Sequence, residues 1–198
     1  MSEVLREVLK PGRPYVPSVK HSELPVVHPF AEVWLHEAME YMRPRFAELG
    51  YEIPPVNISV GFGSAGFKSG SKRPVLGWCY ARRMSAAWVN DIYITPLVEE
   101  SDMALSVLAH ELVHAIDDCE SGHGPRFKQI SKDLKLTDCA QVSLSDFRDT
   151  VDFYRRILGK IGRYPRSGIR YQHTQSPDIT YRPSPISQVQ HQNMHRCN

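Results

Sequence analysis

Residues 110–114 read His-Glu-Leu-Val-His inside a stretch that must form a buried helix, and this combination constrains the fold more than any other feature. The stretch from 101 to 116 is apolar nearly all round, as in a helix that other elements enclose. Residues four apart share a helix face, so His110 and His114 can bind one ion. Burying two imidazoles and a carboxylate without partners would be costly. The segment therefore predicts a zinc site rather than a metal-free structural cluster.

Glu111 lies beside this histidine face, where its carboxylate can take a proton from a water molecule that the metal activates. A catalytic zinc needs a third protein ligand. His123 is the best candidate, because Gly122 can end the helix in a left-handed turn and Pro125 suits the first turn of the next helix. The expected metal ligands are thus His110, His114 and His123.

Other ligand sets fit this sequence less well. A glutamate on a later helix is excluded because Glu120 is the only Glu after the motif, and the metzincin spacing would need His at that position. Asp117 and Asp118 are the alternatives to His123, and Asp117 could instead orient a ligating histidine. Cys119 is expected to be a thiol that does not bind the metal.

The remaining sequence predicts a small α+β fold around this helix. Periodicity indicates an N-terminal helix over 30–49, strands at 56–62, 75–81 and 87–94, a short helix after His123, and a last helix over 144–162. The predicted organisation is an extended N-terminal arm at 1–29, a catalytic domain at 30–140, a basic C-terminal helix and extension at 141–171, and a disordered polar tail at 172–198.

Three segments together resemble a known family. They are Ile-Tyr-Ile-Thr-Pro at 92–96, the run from Val107 through the zinc motif to Ala115, and Gly-His-Gly-Pro-x-Phe at 122–127. Over about residues 30 to 137 the chain resembles the SprT-like zinc metallopeptidases, which include phage-encoded members. The resemblance implies a zincin-like fold with Zn²⁺ held by three histidines and Glu111 as the base, and these roles match His110, His114 and His123.

The four cysteines do not form a zinc ribbon or a disulfide framework, because no pair has C-x-x-C spacing. They are Cys79, Cys119, Cys139 and Cys197. Many SprT-like proteins carry such a ribbon and use it to bind DNA, so this chain departs from the family pattern. No stretch is long enough to span a membrane, and the first 20 residues lack the apolar core of a signal peptide. We therefore expect a cytoplasmic protein, in the host cytoplasm if it is phage-encoded, with no membrane partner.

Charge is segregated along the chain. Residues 1–120 hold 11 basic and 16 acidic residues, whereas 121–198 hold 13 and 6. An apolar stripe in the last helix is expected from Leu144, Phe147, Val151, Tyr154, Leu158 and Ile161. Six basic residues without an acidic one, interleaved with Tyr164 and Tyr171, could bind DNA phosphates and stack on bases. They are Arg155, Arg156, Lys160, Arg163, Arg166 and Arg170. An ordinary solvated helix face is the alternative.

A second basic group flanks Trp78 and Tyr80 near the predicted sheet. It comprises Lys68, Lys72, Arg73, Arg82 and Arg83. If these strands border the active site, the group could contact a substrate or a nucleic acid. A flexible loop without a ligand is the alternative.

The sequence predicts a zinc metalloendopeptidase that hydrolyses peptide bonds, including those of nucleic-acid-associated proteins. Tyr80, Tyr93 and Arg126 are candidates for stabilising the oxyanion. Two other interpretations remain open. One is a zinc-containing nucleic-acid-binding or regulatory module without protease activity, and the other is a zinc amidase acting on a non-peptide or cell-wall amide.

Overall fold

The computed structural model describes residues 23–63, 75–136 and 148–169. Within these ranges the chain forms an α+β fold, which confirms the predicted class. The helices are α1 (Ala31–Glu48), α2 (Ser101–Ile116), α3 (Pro125–Asp133) and α4 (Arg148–Ile161), the strands are β1 (Val56–Val60), β2 (Gly77–Tyr80) and β3 (Asn90–Ile94), and a 3₁₀ turn spans Arg82–Met84.

The three strands form one sheet in the order β1-β3-β2. β1 runs parallel to β3, whereas β2 runs antiparallel to it, with Gly77 opposite Ile94 and Cys79 opposite Ile92. Side chains alternate between the two faces of a sheet. Ile92 and Ile94 are fully buried, so their face, which also carries Gly77 and Cys79, is the one that covers the core and α2.

α2 is the central helix of the core. Its apolar residues are almost wholly buried, as the nearly uniform apolar sequence predicts. α1 packs against α2 through residues such as Trp34, Leu35 and Met42, and α3 adds Phe127 and Ile130. The His-Glu-Leu-Val-His segment is therefore carried by a helix that is enclosed on nearly all sides.

The described C-terminal segment closes the same core. Trp34 Nε1 donates a hydrogen bond to the Gly162 carbonyl oxygen at 3.0 Å, and the Trp34 ring meets the Tyr164 ring edge-on at 5.0 Å. The Tyr164 backbone N–H donates to Ser101 Oγ at the start of α2. The end of the predicted N-terminal arm lies here too, since Val26 forms a β-bridge with Gly162. Both chain ends of the described core thus support α2.

Strand bounds and one core residue differ from the sequence expectation. β1 ends at Val60 instead of 62, and β2 spans Gly77–Tyr80 instead of 75–81. The third strand begins at Asn90 instead of 87, because Trp88 has a positive φ of 55° and its N–H closes a turn onto the Ser85 oxygen. The apolar stripe of α4 omitted Ile157, which is buried beside Tyr154 and Ile161. Residues three or four positions apart lie on the same face of a helix. Ile157, three positions after Tyr154, is therefore on the face that packs against the core. Leu144 and Phe147 lie outside the described residues.

In the parts of the chain that the structure describes, no helix combines the length and apolar character that crossing a membrane requires.

Candidate metal centre

His110, Glu111 and His114 lie in the last two turns of α2. The chain then reverses direction in a turn with three residues at positive φ: Asp118 at 48°, Cys119 at 61° and Gly122 at 50°. Side chains at Asp118 and Cys119 disfavour this conformation, so surrounding contacts must hold it. The reversal brings His123 back toward the histidines of α2.

Asp118 supplies those contacts. Its Oδ1 accepts hydrogen bonds from the Arg82 backbone N–H at 2.8 Å and from Asn90 Nδ2 at 2.9 Å. Asn90 is fully buried and also donates to the Tyr80 oxygen. Burial is the largest single influence and acts to raise the pKa of the Asp118 carboxyl, but these hydrogen bonds and the charge of Arg82 together hold that pKa below its usual value. The turn before His123 is therefore hydrogen-bonded to residues near both ends of the β2–β3 connection.

Three imidazole nitrogens converge at the centre. His123 Nε2 lies 3.1 Å from His110 Nε2 and 3.2 Å from His114 Nε2. Two nitrogens bound tetrahedrally to zinc, each about 2.05 Å from it, lie about 3.3 Å apart. The observed spacing fits one tetrahedral ion. Among the described residues these three histidines form the one cluster with metal-ligand geometry.

Hydrogen bonding alone satisfies this cluster poorly. A neutral imidazole nitrogen either donates one proton or offers one lone pair, so His123 Nε2 cannot serve both neighbours well. Burial lowers the pKa of His110 well below its usual value and that of His114 to about 4. Neutral imidazoles with converging lone pairs are the form that a zinc ion binds.

Phe127 of α3 packs against all three histidines. Its ring centroid lies 4.9 Å from that of His110, 4.4 Å from His114 and 4.8 Å from His123, and the residue is fully buried. The sequence identified Phe127 as a residue of a bracing helix but not as the common neighbour of the three histidine rings. Its position four residues after His123, at the start of a helix, was the available signal.

Glu111 lies on the sheet side of α2 and is 5% exposed. Burial, with a smaller contribution from the negative charge of Cys119, raises the pKa of the Glu111 carboxyl to about 8. Gly77 of β2 lies directly against it, because a Cβ at this glycine would clash with Glu111 Oε1. No sequence motif linked Gly77 to Glu111, since the contact depends on how the sheet packs on α2.

The alternative ligands have other partners. Asp117 Oδ2 accepts a hydrogen bond from the Ser121 backbone N–H at 2.7 Å and another from the Ser121 hydroxyl. Asp118 binds Arg82 and Asn90 as described. The Cys119 thiol lies 3.4 Å from the Cys79 carbonyl oxygen. None of the three belongs to the histidine cluster of the described residues.

The candidates for oxyanion stabilisation contact other aromatic rings. Tyr80 and Tyr93 lie on the sheet face opposite Gly77, where their rings meet edge-on at 5.8 Å, and this face points away from α2. The Arg126 guanidinium lies over the Tyr51 ring at 5.5 Å. Each of the three side chains is therefore held by a contact with a tyrosine ring and not by a contact with Glu111.

Only some side chains of the predicted DNA-binding stretch are exposed to solvent. Tyr164 is 1% exposed, so the expectation that it stacks on bases is wrong: its ring packs on Trp34. Arg155 forms an ion pair with Asp152. Arg156 and Lys160 are exposed, with the Lys160 ammonium 4.6 Å above the Tyr41 ring. Arg170 and Tyr171 lie outside the described residues, and DNA binding stays a prediction.

The second basic group is described only in part. Lys68, Lys72 and Arg73 lie outside the described residues. Arg82 and Arg83 are in the 3₁₀ turn after β2, where Arg82 forms an ion pair with Asp118. Arg82 thus helps to hold the turn before His123.

Comparison with protein-family models, with curated proteins and with solved structures found no match for this chain. The resemblance to SprT-like metallopeptidases therefore rests on the quoted motifs and stays a prediction.

Proposed function

We propose that this protein is a zinc-dependent metallopeptidase of zincin type, with His110, His114 and His123 as metal ligands and Glu111 as general base. The observation that carries the proposal is the convergence of three Nε2 atoms at 3.1 and 3.2 Å next to a buried glutamate on the same helix. When bound, zinc would polarise the scissile carbonyl and lower the pKa of the attacking water.

Glu111 would accept the proton of that water and later deliver it to the leaving amine. Its buried position suits this role, because removal from solvent makes a carboxylate a stronger base than an exposed one. A nearby divalent cation would favour the ionised form that must accept the proton. Gly77 would keep the carboxylate in place by leaving no free space on the sheet side.

An extended peptide is the substrate that best suits the surroundings. β2 is an edge strand among the described strands, and it lies against the helix that carries Glu111. Exposed strand edges bind extended peptides through backbone hydrogen bonds. A peptide paired with β2 would run past the catalytic glutamate, which supports hydrolysis of a peptide bond over hydrolysis of a cell-wall amide.

A purely structural zinc site is less well supported. Structural sites have four protein ligands, whereas the described residues contribute three and leave a position for water. We also propose the cytoplasm as the location, because the spacing of the four cysteines does not indicate the disulfide framework that is typical of secreted domains. Proteins bound to nucleic acid are the proposed substrate class, through the exposed Arg156 and Lys160 of α4 and the half-buried Arg163 and Arg166 after it.

The test is Glu111→Gln in zinc-loaded protein. The amide keeps the size of the side chain but cannot accept the proton, so cleavage of an unstructured peptide should fall by about 10²–10⁴-fold. Zinc stoichiometry should not change. Glu120→Gln is the matched control, because Glu120 is exposed and lies in the turn before His123.

Cleavage by Glu111→Gln at the wild-type rate would remove Glu111 from the mechanism. A wild-type protein that binds one zinc ion but cleaves no peptide would instead favour the regulatory or nucleic-acid-binding module.

A further inference from the structure

We propose that Cys79 and Cys119 form a reversible disulfide in the presence of a peroxide, and that this bond switches off the metal centre. The bond itself is independent of the proposed function, whereas its effect on cleavage rests on that function. The two thiols belong to different parts of the fold, one in β2 and the other in the turn between α2 and His123.

The two cysteines already interact. The Cys119 thiol donates a hydrogen bond to the Cys79 carbonyl oxygen at 3.4 Å, and the Cys79 thiol lies 3.8 Å from the Tyr80 carbonyl oxygen. The two thiols are close enough for each to shift the pKa of the other. Both residues are half-buried, which leaves room for a small oxidant to reach them while the surrounding structure holds the pair together. Neither cysteine has a place in the ligand set or in the proton transfer of Glu111.

Their environments suit different roles. The interaction with the Cys79 thiol is the main cause that lowers the pKa of Cys119, and the same interaction together with burial raises the pKa of Cys79. Thiolates are the reactive form towards peroxides. Cys119 is therefore the attacking sulfur, and Cys79 is the resolving thiol beside it.

The chemistry balances with hydrogen peroxide as the oxidant. The Cys119 thiolate attacks one peroxide oxygen, the O–O bond breaks, and the departing hydroxide is protonated to water. Cys79 then attacks the sulfenic sulfur, the S–O bond breaks, and a second water leaves with the Cys79 proton. The two sulfurs lose two electrons in total, and the peroxide is reduced to two waters.

The new bond would strain both sides of the active site. A disulfide is about 2 Å long, shorter than the separation of two sulfur atoms in non-bonded contact, so its formation draws β2 towards the turn. Two residues before Cys79, Gly77 has no free space against Glu111. Four residues after Cys119 comes His123. A displacement of about 1 Å between catalytic groups costs about 10²-fold in rate.

The experiment uses the zinc-loaded full chain with Cys139→Ser and Cys197→Ser, so that the two cysteines under test are the remaining thiols. Hydrogen peroxide should lower the intact mass by about 2 Da and remove both titratable thiols. Peptide cleavage should fall at least about tenfold with zinc content unchanged, and dithiothreitol should restore it.

Cys79→Ser and Cys119→Ser in the same background are the matched controls, and each should keep its cleavage rate after the same treatment. Cys79→Ala replaces the serine variant if that variant does not fold. Thiols that stay reduced, a bond that forms only between molecules, or a disulfide that leaves cleavage unchanged would each overturn the proposal. If the reduced protein cleaves nothing, the proposed function fails, and mass and thiol titration still decide whether the bond forms.

Discussion

Gly77→Ala tests whether the sheet positions Glu111. An added Cβ would lie 2.5 Å from Val107 Cγ1 and would also clash with Glu111 Oε1. Carbon atoms in contact are about 3.5–4.0 Å apart, so β2 and α2 must separate by about 1 Å or the carboxylate must turn away. The φ angle of Gly77 is not positive, so the effect of alanine is steric rather than conformational.

The expected cost follows from that displacement. Overpacking of this size destabilises a core by about 1–3 kcal/mol. Misplacement of a catalytic group by about 1 Å lowers the rate by about 10²-fold. We therefore expect a lower Tm and a fall in kcat/KM for a fluorogenic peptide, measured well below the Tm so that the protein is folded. Zinc stoichiometry should remain one, because the histidines do not contact Gly77.

Gly159→Ala in α4 is the control. A Cβ there meets nothing within 4 Å, so alanine should stabilise the helix by about 0.5–1 kcal/mol and leave the rate unchanged. Gly77→Ala with full zinc and the wild-type rate would refute the argument that β2 positions Glu111.

Three further predictions concern the ligands, the charge of Glu111 and the basic segment. His123→Ala should lower zinc affinity sharply in a metal titration, and loss of zinc in Asp117→Ala alone would show that the third ligand is wrong. From pH 6.5 to 8, metal-free wild type should lose about 2 kcal/mol of stability relative to Glu111→Gln, because the folded state keeps a Glu111 proton up to its pKa of about 8 while the unfolded state has released it. Denaturant titrations of both proteins measure this difference, and the opposite effect of the three histidines with lowered pKa values cancels in it. Neutralising four basic residues should weaken DNA binding and flatten its salt dependence, whereas an unchanged salt slope would show a merely solvated surface. The four are Arg155, Arg156, Arg163 and Arg166.

The candidate site was predictable from the sequence where it depends on helix geometry. The spacing of His110 and His114 places both on one face of α2, and the bounds of that helix agree with the prediction. Helical periodicity comes from hydrogen bonds between near neighbours, so local sequence is sufficient to predict it. The glycine and proline around His123 likewise indicated a chain reversal.

The contacts made across the chain were not predictable in this way. Tyr164 was assigned to a DNA-binding surface because its sequence neighbours are basic, yet its ring is buried on Trp34, 130 positions earlier. An aromatic residue between arginines fits a nucleic-acid surface and the edge of a core equally well. Only packing against α1 distinguishes the two.

Local sequence was enough to indicate the residues of the candidate site: two histidines and a glutamate on one buried helix, with a third histidine after a turn. The tertiary structure decided the distances, including the 3.1 and 3.2 Å that bring His123 to its partners. It also decided that Gly77 lies against Glu111 and that Cys79 meets Cys119, 40 residues away. Such contacts depend on strand order, sheet register and the packing of the sheet on α2, which many distant residues set jointly, whereas ligand type and helical spacing are properties of a short segment.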